Sequence, residues 1–173
     1  MTKRRARHSN EARSQINRLK DQLDELYIRA DPRSISDPEI AGDLARYLCV
    51  RVSGYLEQAT AIVLRSYCEK NSWGDVQRFA MSWLDRAPNL SSEALLSLVG
   101  KFNKSASGEL REFLAVEERG SSLNALIGIR NDIAHGRNQG LSRTQAWQYF
   151  EVAELVIEWL LYKFDPISEM DQI

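Results

Sequence analysis

Two long stretches without proline, residues 39–87 and 89–165, take up most of this 173-residue chain. Proline and glycine punctuate a polypeptide into short strands and turns, so their scarcity and clustering favour long helices over a sandwich. In the first stretch Leu44, Leu48, Val52, Tyr55, Leu56, Ala59, Ile62 and Val63 follow helical spacing for four or more turns. The pattern predicts a central helix over about 39–70, opened by Asp37-Pro38.

Around it the remaining elements fall into place. Ile16, Leu19, Leu23, Leu26 and Tyr27 form the stripe of a first helix over 11–29, ended by Asp31-Pro32. Shorter helices are predicted over 73–85, 92–102 and 107–118. In the first of these Val76, Phe79, Ala80, Trp83 and Leu84 are expected to face inward, with Trp73, Phe79 and Trp83 as core rather than a ligand cage. Pro88 follows as a stop. Leu123, Leu126, Ile127 and Ile133 mark a helix over 121–135, which Gly136 would end in a left-handed conformation. After a polar loop over 137–140, Ser142 and Gln145 have the spacing of a capping box for a last helix running to about 164. Ala146, Phe150, Ala153, Ile157, Leu160 and Phe164 line its apolar face. Val156, Trp159 and Leu161 widen that face beyond what one neighbour covers, and Pro166 ends it. The fold class is all-α: a helical bundle with two long core helices plus shorter ones. Residues 1–36 form a basic arm and first helix, 37–165 the bundle, and 166–173 a tail.

The formal net charge is only −1, but its distribution is uneven. Residues 1–20 carry Lys3, Arg4, Arg5, Arg7, Arg13, Arg18 and Lys20 against the single Glu11. Such an arm can hold a phosphate backbone or remain a solvated terminus. No apolar run approaches the roughly 20 residues of a membrane span, and no secretory signal is evident. Cys49 and Cys68 fall on one helix about 28 Å apart at a rise of ~1.5 Å per residue, too far to pair, so a reducing cytoplasm is expected. With His8 and His135 the only imidazoles, neither a zinc site nor another cofactor is expected.

The segment Ile129-Arg130-Asn131-Asp132-Ile133-Ala134-His135-Gly136 concentrates the chemistry. Arg130 offers a planar cation matched to a phosphate, and Asn131 adds neutral donors and acceptors. His135 stands at a helix C-terminus, where the dipole favours an imidazolium. Positions five apart on a continuous helix point about 140° away from each other, so these groups converge only if the helix stops there. Glu57, on the apolar side of the central helix, is either an orienting partner for Arg130 or His135 or a charge at the edge of the stripe. Asp132 carries the same two readings.

These residues resemble the Arg-x4–6-His signature of the HEPN superfamily, in which a polar residue follows the arginine. The stretch Leu44–Glu57 looks like an early helix of its RiboL-PSP subgroup. The resemblance implies metal-independent endoribonuclease activity, with Arg130, Asn131 and His135 catalytic and Glu57 and Asp132 supporting them. RNA would also be held by Arg137, Lys3, Arg4, Arg5 and Arg7. It further implies a toxin or antiphage effector, with an antitoxin or another regulatory protein as a partner. HEPN-like domains also serve as non-catalytic dimerisation or nucleotide-binding and partner-binding modules, and that alternative stays open here. Some HEPN toxins carry a modifiable tyrosine two residues after the histidine. Arg137 stands there instead, so control through a tyrosine is not expected. A homodimer is expected on chemical grounds as well. Cleavage is helped by two proton-transfer groups, whereas this chain offers one outside its basic arm.

Overall fold

A computed structural model describes residues 2–84, 89–137 and 140–165, with side chains described from Asn10 onward. Among the described residues there are seven α-helices: α1 (Thr2–Arg29), α2 (Pro38–Asn71), α3 (Gly74–Leu84), α4 (Ser92–Phe102), α5 (Lys104–Ala115), α6 (Arg119–Ala134) and α7 (Arg143–Phe164). The chain is all-α, as its proline spacing predicts. None of these helices is long and apolar enough to cross a membrane.

Local chemistry explains most boundaries. Asp37 accepts a hydrogen bond from the Glu39 amide and Pro38 occupies the first turn, so α2 starts where the Asp-Pro dipeptide predicts. Ser142 accepts from the Gln145 amide at 3.1 Å to cap α7. Asn103 alone separates α4 from α5. It ends the first through a bond from its amide to the Val99 carbonyl and caps the second by accepting from the Ala106 amide. The sequence suggested a longer loop there, and one asparagine suffices. Helix α1 begins well before residue 11, because nothing in the basic run breaks it.

Helix α2 lies at the centre and packs on α7, α1, α6 and α3. Leu48, Val52, Leu56, Ala59 and Val63 of α2 are fully buried against Phe150, Ala153, Val156 and Leu160 of α7 and their neighbours. The pairs Tyr55–Phe150 and Tyr67–Phe164, with ring centroids 5.3 and 5.2 Å apart, show that α2 and α7 run parallel. Helix α1 runs antiparallel to α7. Arg13 meets Asp165 at one end, Lys20 pairs with Glu154 midway, and Arg143 donates to the Tyr27 carbonyl at the other. The broad apolar face of α7 is largely used within the chain, since Val156 is fully buried and Trp159 packs on Phe113. Cys49 and Cys68 are free and buried, and burial pushes the Cys49 thiol up to about 12.

One expectation fails. Trp73, Phe79 and Trp83 are 81%, 66% and 51% exposed, and Val76 is exposed too, although all were expected in the core. Of the predicted inward set, Leu84 is buried and Ala80 half-buried. Periodicity established that α3 has an apolar face, but it carries no information on whether the same chain supplies a neighbour for it. The stops expected at Pro88 and Pro166, and the tail over 166–173, lie outside the described residues.

The junction of α1, α2 and α7 rests on a buried ion cluster. Asp165, directly after α7, has a fully buried side chain paired with Lys70 in the last turn of α2. Arg13 of α1 donates to the Asp165 carbonyl oxygen at 2.7 Å and approaches its carboxylate at 3.7 Å. Removing one member of such a pair strands the other charge away from water. Lys70→Met is therefore expected to destabilise the fold by about 2–4 kcal/mol in denaturant titration, with Arg13 limiting the loss. An unchanged midpoint would show that the cluster contributes nothing.

Candidate active site

The site is built on α6. Leu123, Leu126 and Ile127 are its buried stripe, and Arg130 occupies the next position of that stripe, seven residues after Leu123. Its stem is thus directed toward the core, and its guanidinium acts on Glu57 of α2. Helix α6 ends as its glycine predicts. Gly136 has φ +72°, its amide donates to the Ile133 carbonyl at 3.0 Å, and the Arg137 amide donates to the Asp132 carbonyl at 2.9 Å. These two bonds make a Schellman ending, with His135 as the last, half-helical residue.

Arg130 and Asn131 are brought together. Arg130 Nη1 donates to Asn131 Oδ1 at 3.1 Å. The same oxygen accepts from Asn89 Nδ2 at 3.2 Å, a residue that sequence reasoning missed. Only a surface asparagine before a helix start marks it in the sequence, and nothing there ties it to a residue 42 positions away.

Glu57 is half-buried, and its Oε1 is fully enclosed without a hydrogen-bond partner. Ser53 and Thr60 flank it on the same face of α2, with buried hydroxyls likewise unpartnered. Burial pushes the Glu57 carboxyl above the usual carboxylate range, and the charge of Arg130 offsets only part of that. Glu57 makes no ion pair with Arg130, which acts on it only through its charge.

His135 is exposed, and its imidazole makes no hydrogen bond to Arg130 or Asn131. Asp132 pairs with Arg137 at 2.8 Å across the helix end, and Arg137 stays exposed. The side chains of Lys3, Arg4, Arg5 and Arg7 lie outside those described. A groove of about 550 Å³ lies between α3 and α4 and is lined by Phe79, Trp83, Leu98 and Lys101, none of them in the motif.

An all-helical bundle with Arg-x4-His at the end of its penultimate helix falls in the HEPN class. Within it the chain belongs to the RiboL-PSP-HEPN family, whose model matches residues 7–162, nearly the whole chain. Neither a search of curated proteins nor one of solved structures finds a match.

Two stability experiments probe the site. A Cβ at Gly136 would meet no atom, so Gly136→Ala is charged only for the left-handed backbone, about 1–2 kcal/mol by chemical denaturation. A loss well below that range would mean that the helix end is not held as described. For Glu57, the folded chain binds the carboxyl proton more tightly than the unfolded chain does. The ionised form therefore opposes folding above the carboxylate range, and this cost disappears as pH falls below the unfolded value, about 4.3. Glu57→Gln is expected to raise the melting temperature at neutral pH, with the gain closing as pH approaches about 4. A gain that grows on acidification would contradict the assignment.

Proposed function

We propose that this chain is a metal-independent endoribonuclease that works as a homodimer, with Arg130, Asn131 and His135 as its reacting groups. The observation that carries this reading is the fixed Arg130–Asn131 pair beside the closed end of α6, in a chain of the HEPN class. Arg130 is half-buried and its guanidinium is held on Asn131 Oδ1, so it needs little reorganisation to meet a phosphate.

In the reaction, the ribose 2′-hydroxyl attacks the adjacent phosphorus and gives up its proton. The bond from phosphorus to the 5′-oxygen breaks, and that oxygen takes a proton as it leaves. The products are a 2′,3′-cyclic phosphate and a 5′-hydroxyl. Arg130 steadies the charge on the phosphorane, and His135 moves protons. Within one chain the His135 imidazole makes no hydrogen bond to Arg130 or Asn131, which favours a cleft shared by two copies, each contributing one imidazole. Arg137 and the basic run Lys3, Arg4, Arg5 and Arg7 would hold the RNA backbone outside that cleft. A toxin or defence effector, restrained by an antitoxin or another regulatory protein, is the biological role that fits such an activity.

The same lack of a bond to His135 also favours a second reading, a dimeric binding module with no catalysis. One experiment divides them. The purified protein is expected to cut RNA in excess EDTA, and His135→Ala to lower the rate at least about 100-fold while light scattering still reports a dimer. Full activity in His135→Ala would remove the site assignment, and intact RNA with the wild-type protein would favour the binding module.

A further inference from the structure

Hydrogen-bond bookkeeping around Asn131 fixes which end of its amide faces outward. Arginine has donors only, so the atom of Asn131 lying 3.1 Å from Arg130 Nη1 must be the oxygen. Asn89, at 3.2 Å from that same oxygen, must then present its own NH2 group. Both acceptor positions of Asn131 Oδ1 are thereby occupied. Its Nδ2, with two N–H donors, has no partner among the described residues, and the side chain is half-exposed.

The segment that carries Asn89 is itself held in place. Leu90 is fully buried, and the Ser91 hydroxyl caps α4 by accepting from the Ala94 amide. The Ser92 amide and hydroxyl donate to Asn124 Oδ1 at 3.0 and 3.1 Å. Asn124 and Asn131 are seven positions apart, so they share one face of α6. That face grips the segment twice, once at Ser92 and once at Asn89.

We infer that Asn89 is a positioning residue that, with Arg130, locks Asn131 oxygen-inward, so that Asn131 serves as a hydrogen-bond donor to a phosphate or ribose oxygen of the substrate. This inference rests on the nuclease reading above for its substrate, but not for its geometry. Without Asn89, one acceptor position on Asn131 is released and the amide can turn, presenting its oxygen to an anionic group that it repels. Net loss of one exposed hydrogen bond corresponds to a rate effect of about 3- to 10-fold.

The test uses the neutral, nearly isosteric Asn89→Leu and has two arms. In NMR spectra of the free protein, the side-chain amide signals of Asn131, assigned by their absence in Asn131→Asp, are expected to move in Asn89→Leu while the backbone spectrum stays folded. In cleavage assays, Asn89→Leu is expected to lower kcat about 3- to 10-fold in the wild-type background and to have no effect in Asn131→Ala. A merely structural role would give additive losses. Unmoved Asn131 amide signals, or additive losses, overturn the inference. If the wild-type protein cuts no RNA, the nuclease reading fails, and the amide signals alone decide whether Asn89 positions Asn131.

Discussion

The packing of α2 against both α7 and α6 sets the position of every group in the site. Its side toward α7 is apolar and closely packed, which leaves α2 little freedom to rotate or slide. The face with Ser53, Glu57 and Thr60 is polar, and the charge of Arg130 on α6 acts on Glu57 there. A guanidinium drawn toward a core is costly unless a counter-charge or a route to solvent is close at hand. Here the half-exposed end of α6 supplies the route. The buried cluster of Asp165, Lys70 and Arg13 locks the far ends of α1, α2 and α7, so the frame is clamped at a distance from the chemistry.

Much of this frame is legible in the sequence, for identifiable reasons. Helical spacing in α2 and the Asp-Pro pair before it encode an element whose boundaries depend on local forces alone. The Schellman ending at Gly136 is equally local, because a residue that tolerates positive φ sits where the helical pattern stops. The face of α3 marks where such reading ends. Trp73, Phe79 and Trp83 have the periodicity of core residues and stand in the open. Only tertiary structure decides which apolar stripe finds a partner.

The site divides in the same way. Arg130, Asn131 and His135 are visible as a motif because they are close in sequence. The bond from Asn89 to Asn131 joins distant segments, and no spacing rule announces it. Asp132 and Arg137 show the opposite case. Both are conspicuous charges beside the motif, and the fold pairs them across the end of α6. Proximity in sequence nominates residues for chemistry, and pairing in space decides which of them keep their charge available.

The termination of α6 has a wider consequence. Its last carbonyls are satisfied by the amides of His135, Gly136 and Arg137, from the same few residues that end the helix. The end of α6, just past Arg130 and Asn131, is therefore closed from within residues 131–137. A helix closed in this way carries its own stop, so the register of Arg130 and Asn131 is set before the chain turns toward α7.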